Sequence, residues 1–210
     1  MILGSAQKYR MLISEFIRFR MIEDGYRKIT LEEITDNLAI SKKTIYKVYP
    51  SKNELTRSVM MSELSDAYQK LILLLQEKST MIQKVEKLSG IIERYIRLFN
   101  DASLNNVKKE YPNLWKEIIA FRKEKVLPLI NLLLDHSKKH DLIVEHQNEL
   151  IVKLFSTSLI ISTEKRFLTR SKLDFRNLFQ SIFTVLLTGI LTKKGKKLLA
   201  INQRIKNENN

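Results

Sequence analysis

The chain has 210 residues, a formal net charge of +14, 44% hydrophobic residues, five Gly, three Pro and no Cys. That length buries one substantial core, or a small domain beside a larger one, and the absence of Cys excludes disulfides, thiolate nucleophiles and Cys-ligated metals. Alternating β-branched runs are missing and Leu/Ile/Lys/Glu segments recur at helical spacing, so the expected fold class is all-α. The charge suits a polyanionic partner, but residues 1–60 carry 11 Lys/Arg against 7 Asp/Glu, a net of +4, and the other +10 lies beyond them. A general Lys excess accounts for the total equally well. The amino terminus has no long apolar h-region and no uninterrupted apolar run is long enough to span a bilayer, which gives the expectation of a soluble, cytoplasmic protein that meets no membrane.

The spacing of Leu12, Ile13, Phe16, Ile17 and Phe19 predicts a first helix from about Ala6 to Glu23, ended by Asp24-Gly25. Lys8 and Arg10 near its start read as solvated charges in preference to phosphate contacts. From Thr30 to Leu55 the chain reads as two short helices, a tight turn between them, and the start of a third. Thr30 and Glu33 form a capping box. Leu31, Ile34 and Leu38 share one face of the helix that follows. Ser41 then serves as a second N-cap for Lys42-Lys43-Thr44-Ile45-Tyr46-Lys47, with Ile45 and Val48 turned to the core and the Lys, Thr and Tyr side chains outward. Ser51 and Glu54 begin the next helix with another capping box. A short helix that exposes basic, hydroxyl and aromatic groups beside a supporting helix is the build of a helix-turn-helix, whose second helix enters the DNA major groove.

Residues Ile13 to Leu55 resemble the DNA-binding domain of TetR-type transcriptional regulators. The resemblance rests on Gly25-Tyr26, Thr30, Glu33-Ile34, Ile40-Ser41, Thr44-Ile45-Tyr46, Tyr49, Lys52 and Glu54-Leu55. The chain departs from the family with Ala39 and Lys43 where Gly is usual, with Met21 in place of an aromatic, and with Arg20 in place of an aliphatic residue. Ala39 bears on the turn, since Gly adopts positive φ without cost. Lys42, Lys43, Thr44 and Lys47 are expected at base edges, where Lys donates to guanine and the Thr methyl meets thymine. The resemblance assigns Tyr46, Tyr49 and Lys52 to backbone phosphates, and Thr30 lies at a helix N-terminus suited to a phosphate oxygen. A solvated basic helix with both tyrosines partly in the core is the plainer alternative.

Leu55, Val59, Leu64, Tyr68, Leu71 and Leu75 predict a long helix from Lys52 to about Glu77, linking the DNA-binding domain of residues 1–55 to a body of residues 56–201. After a break at Ser79-Thr80, Met81, Val85, Leu88, Ile92, Tyr95 and Phe99 mark a helix that ends near Asn100-Asp101. A short helix follows over Ala102 to Glu110, and Pro112 opens another that Pro128 should kink before it resumes to about Lys139. Two strongly apolar helices are expected at about Asn148 to Leu168 and Asp174 to Leu191. Their apolar residues cover more than one face, which suggests a four-helix dimer interface with a second copy, as the resemblance also implies. Full burial within one chain is the alternative. The polar tail, residues 202–210, is expected to be disordered.

Tyr95, Phe99, Trp115, Phe121 and Phe155 are candidates to line an apolar pocket for a small-molecule effector of the kind the resemblance implies; taken singly, each reads as ordinary core in preference to pocket lining. His136 and His140 have i, i+4 spacing and His146 follows, but they lie in a polar helix end without clustered carboxylates, so no metal is assigned. Lys193, Lys194, Lys196 and Lys197 read as the basic end of the last helix, with nucleic acid or lipid contact as the alternative. No nucleophile elbow, Gly-rich phosphate loop, zinc-protease motif or placed carboxylate pair is present, so neither a reaction nor a cofactor is expected. The sequence therefore predicts a homodimeric DNA-binding regulator of TetR type, a repressor released from operator DNA by an effector. The alternatives are a nonspecific DNA-binding protein and a helical ligand-binding protein with a vestigial DNA-binding head.

Overall fold

The computed structural model describes residues 5–24, 30–99 and 101–208; the side chains of 5, 21–24, 101–104, 106, 165, 171 and 205–208 lie outside the description. The expected Gly25-Tyr26 turn and the helix end at Asn100 therefore fall outside the described residues. The chain is all-α. In order, the helices are α1 (Ser5–Asp24), α2 (Leu31–Leu38), α3 (Lys42–Val48), α4 (Lys52–Gln76), α5 (Met81–Leu98), α6 (Asp101–Glu110), α7 (Pro112–Phe121), α8 (Leu127–Lys139), α9 (Asn148–Ile160), α10 (Lys165–Ser171), α11 (Phe175–Ile190) and α12 (Lys193–Glu208). None of the described helices is long and apolar enough to cross a membrane. The chain forms two compact units, Met1–Asp66 with Arg97–Ala120, and Ala67–Ile96 with Phe121–Asn210.

In the first unit, Ile13 and Ile17 of α1, Ile34 of α2, Ile45 and Val48 of α3, and Leu55, Val59, Met60 and Leu64 of α4 are buried. Arg18 of α1 is paired with the buried carboxylate of Glu63 on α4. A buried carboxylate without such a partner would be strongly destabilising, so this pair holds α1 to α4. Arg57 forks onto Glu117, with Nη2 2.9 Å from Oε2, and ties α4 to α7.

The second unit centres on Phe179, which is fully buried with Phe183, Ile151, Leu159 and Leu191 around it. Phe179 stacks on Phe175 and Phe183 at ring-centroid distances of 6.1 and 5.9 Å. Val85, Ile92 and Tyr95 of α5 pack on this cluster, as their helical spacing predicts. The break between α4 and α5 is closed by a complete capping box: Gln83 N–H donates to Thr80 Oγ1 (3.3 Å) and Thr80 N–H to Gln83 Oε1 (2.9 Å).

The kink expected at Pro128 takes the form of a π-helical turn over Arg122–Val126. Pro128 has no N–H and its ring crowds the carbonyl four residues earlier. The wider turn relieves this just upstream, where Leu127 N–H donates to the Arg122 carbonyl, five residues back.

Three expectations for the last third of the chain need correction. The helix predicted at 148–168 is broken: α9 stops at Ile160, a 3₁₀ turn covers Ile161–Thr163, and Glu164 is extended at φ −75°, ψ 111°. The hydroxyls of Ser162 and Thr163 donate to the carbonyls of Leu159 (2.6 Å) and Ile160 (2.8 Å), competing with the helical amides. Second, the polar residues from Asn202 to Glu208 are helical, as part of α12. Third, Lys193 to Lys197 begin α12 and do not end α11. Their charges therefore sit at the helix end that the macrodipole makes unfavourable for cations. Tertiary bonds hold that start: Thr192 Oγ1 donates to the Asp141 carbonyl (2.7 Å) and Lys194 Nζ to the His140 carbonyl (2.9 Å). A Cβ on Gly195 would lie 2.2 Å from the Leu142 carbonyl oxygen, so only glycine allows this approach.

Candidate nucleic-acid interface

The helix-turn-helix is assembled from local hydrogen bonds that the sequence announces. Thr30 caps α2 by accepting from Glu33 N–H at 3.1 Å. The Glu33 carboxylate is held by Arg20, whose Nε lies 2.9 Å away. Arg20, a departure from the family pattern, thus joins α1 to α2. Ala39 ends α2 in the left-handed region at φ 50°, ψ 41°, and its N–H donates to the Thr35 carbonyl. The turn therefore keeps the geometry that suits glycine, and alanine holds it at a cost of about 1 kcal/mol. Ser41 then caps α3, accepting from Thr44 N–H at 3.0 Å. Its hydroxyl is also 2.9 Å from Thr44 Oγ1.

These constraints fix which side chains α3 presents. Ile45 is 1% exposed and Val48 4%, whereas Tyr46 is 46% exposed. Lys42, Lys43 and Lys47 are exposed, Thr44 and Lys52 are half-buried, and Thr30 is exposed at the start of α2. Seven of the eight side chains expected to meet DNA are thus accessible on α2, α3 and the first turn of α4.

Tyr49 is the exception, and the structure corrects its assignment. It is 2% exposed. Its hydroxyl is 2.8 Å from Ser14 Oγ and donates to the Arg10 carbonyl at 3.4 Å. The ring lies under the Arg10 guanidinium, 4.9 Å from its centroid. Arg10 Nη2 in turn donates to the Val48 carbonyl at the end of α3 (2.9 Å). Arg10, expected to be solvated, and Tyr49, expected at a phosphate, together brace the carboxyl end of α3 against α1. The periodicity places Tyr49 one residue beyond the inward Val48, which is the signal that could have marked it as core.

Sequence reasoning also missed Glu32. Its carboxylate is paired with Lys42 across the two helices. The hydrogen bond from Lys42, followed by the Glu32 backbone amide and the lysine charge, holds the carboxyl below the usual carboxylate range. Lys42 is correspondingly raised, chiefly by the same hydrogen bond. The foremost lysine of α3 is thus engaged by an acid until another anion displaces it.

The five aromatic candidates for an effector pocket do not share one unit. Phe99 and Trp115 belong to the first; Tyr95, Phe121 and Phe155 belong to the second. Phe155 packs edge-on against Phe183 at 5.6 Å, Phe121 against Tyr68 at 5.8 Å, and Arg122 lies over the Tyr95 ring at 5.7 Å. Burial raises the Tyr95 hydroxyl above its ordinary pKa. His136 and His140 are neighbours, with ring centroids 4.4 Å apart. Among the described residues no group of three His, Cys, Asp or Glu could hold a metal.

Comparison with known proteins agrees with this geometry. Residues 20–59 match the family model of bacterial regulatory proteins, tetR family. An uncharacterized HTH-type transcriptional regulator of Bacillus subtilis strain 168, YvaF, is 24% identical over 173 residues, which are 82% of this chain and 90% of that one. A TetR-family transcriptional regulator from Agrobacterium tumefaciens has the same fold, with a TM-score of 0.70 and 16% identity over 90% of this chain and all of that one. The fatty acid degradation regulator FadR of Bacillus halodurans superposes with a TM-score of 0.63 and 18% identity over 90% and 98% of the two chains. Matched across its helix-turn-helix by sequence and over nine-tenths of its length by fold, the chain carries a tetR-family DNA-binding domain at residues 20–59 and has the fold of TetR-family regulators.

Proposed function

We propose that this DNA-binding regulator is a homodimeric repressor that reads a pseudo-palindromic operator and is released from it by a small-molecule effector. The observation that carries the reading is the outer surface of α3, where Lys42, Lys43, Thr44 and Lys47 are accessible while Ile45 and Val48 fix the helix from below. In this reading those four side chains meet base edges, and Thr30, Tyr46 and Lys52 hold phosphates. Tyr49 is left out, since its hydroxyl is used inside the domain. Regulators of this family are generally non-enzymatic, and we assign the chain no reaction.

The dimer reading is supported by the outer faces of α9 and α11. Leu150 and Leu154, one turn apart on α9, are each 48% exposed, and Val185 on α11 is 70% exposed. Open space faces Gly189, one turn beyond Val185. Apolar and small residues left outward on two long helices suit the pairing of two such helices with their copies. Two heads in one dimer would meet adjacent major grooves roughly 34–36 Å apart. An effector shifts such a dimer only by its differential affinity for conformations that match or miss that spacing. The domain roles follow: residues 1–55 recognise DNA, α4 connects, and residues 56–201 carry dimerisation and effector binding.

Two variants test the assignment on DNA. Lys52→Ala is expected to weaken binding about equally for all sequences and to reduce the salt dependence, as loss of a phosphate contact does. Thr44→Ala is expected to change the preferred sequence, and an unaltered preference would remove Thr44 from base readout. Flat preference in the wild type, with steep loss on added salt, would leave the nonspecific reading suggested by the +14 charge.

A further inference from the structure

In the second unit an open cleft of about 570 Å³ lies between the end of α4, the start of α5, α8 and α12. Its apolar surface comes from Leu75, Met81, Leu132, Leu142 and Leu198, and none of the five aromatic candidates lines it. Its polar groups are unlike that surface in number and sign. Lys84, Lys194, His136 and His140 all line it, with Ser79, and among the described residues no carboxylate does.

Lys84 is the most telling of these. It is 9% exposed, and its ammonium donates to the Leu75 carbonyl at 2.6 Å. That bond uses one of three N–H groups, and no ion pair is formed with a carboxylate of the described residues. A buried ammonium held by one neutral acceptor favours the arrival of an anion. The Ser79 hydroxyl is buried and has no hydrogen-bond partner, which leaves a further donor. Lys194 is held over the cleft by its bond to the His140 carbonyl and by the close approach of Gly195 to Leu142. The docking of α12 thus supplies one cationic wall.

We propose that this cleft binds an amphiphilic anion, with its carbon skeleton on the leucines and a single carboxylate or phosphate head at Lys84, Lys194 and the histidine pair. The volume is ample for a drug-sized molecule, and an apolar lining with a few convergent polar groups is how such sites fix orientation. Charge-assisted hydrogen bonds to the two lysines supply the selectivity for anions. The site does not depend on the DNA reading, because binding is measured without DNA.

The test is calorimetric titration of the full chain with decanoate, decyl phosphate and decyltrimethylammonium at equal ionic strength. At least one of the two anions should bind and the cation should not, and the tighter anion names the head group. Lys194→Met is expected to weaken that anion about tenfold, the worth of one charge-assisted hydrogen bond. Leu132→Trp should block the cleft with the charges kept, whereas Lys153→Met, which removes a distant exposed charge, should bind as the wild type does. Lys84→Met is expected to lose binding most, provided its circular dichroism shows an intact helical fold; Lys194→Met and Leu132→Trp decide the matter if it does not. Binding of the cation as tightly as of the anions, equal affinity in Lys194→Met and wild type, or no binding of either anion would overturn the proposal.

Discussion

The helix-turn-helix and the last four helices are both made of helices with sharp ends, yet one end in the second group is held by more than a local cap. In the first, each N-terminus is closed by a side chain three residues away: Thr30 to Glu33 and Ser41 to Thr44. In the second, α11 follows the same rule through Asp174, which accepts from Asn177 N–H at 2.8 Å. The start of α12 has such a cap too, Thr192 Oγ1 accepting from Gly195 N–H at 3.1 Å, and is held in addition by partners 51 and 54 positions earlier, at Asp141 and His140. The caps of α2 and α3 lie within three residues of the amides they hold. The start of α12 adds to its local cap bonds that only the fold of the second unit brings within reach. The recognition helix should therefore tolerate small changes by graded loss, and the second unit should be sensitive to its core.

The largest effect tests the core of the second unit. Phe179→Ala removes a fully buried ring stacked between two others. It is expected to destabilise the fold by about 3–5 kcal/mol, read as a lower urea midpoint. Next, Val185→Glu places a charge on the outer face of α11. Under the dimer proposal it should shift sedimentation towards monomer and weaken operator binding while leaving the helical signal unchanged. A variant that sediments as the wild type would remove α11 from the interface.

Effects in the helix-turn-helix are smaller. Ser41→Ala removes the cap of α3 and should cost about 1 kcal/mol, with weaker DNA binding at unchanged sequence preference. Ala39→Gly relaxes a left-handed alanine and should raise stability by about 0.5–1 kcal/mol. A loss of stability there would mean that chain entropy outweighs backbone strain. The smallest effect is expected from Glu32→Gln, which frees Lys42 and removes an acid from the face proposed to meet DNA. Unfolding should change little and DNA affinity should rise, most at low salt. The same pair has a pH signature. Because the Glu32 carboxyl is depressed in the fold, its contribution is present at neutral pH and is lost as pH falls through that lowered value. The variant should lack this part of the acid dependence.

Legibility in the sequence followed the range of the determining contacts. Thr30, Ser41 and the inward pair Ile45 and Val48 could be placed from spacing alone, because a cap reaches three residues and a helical face repeats every 3.6. Pro128 signalled a distortion, but not that the turn before it would widen. The break after Ile160 was hidden because Ser162 and Thr163 sit in an apolar run whose periodicity outweighs two hydroxyls. Helix α12 was hidden more deeply: its cap at Thr192 is local, but a Lys-rich start reads as a helix end until the Asp141 and His140 carbonyls are known to meet it. Tyr49 and Glu32 were misplaced or missed for the same reason, since Ser14 and Lys42 approach them through the fold.

The most direct test of the account is selection of a randomised duplex library by the purified protein at near-physiological salt, with sequencing of the retained DNA. The account predicts an inverted-repeat consensus with half-sites about one helical turn apart, lost or altered in Thr44→Ala. Retention without a consensus, abolished by added salt, would contradict base readout by α3 and leave charge attraction alone.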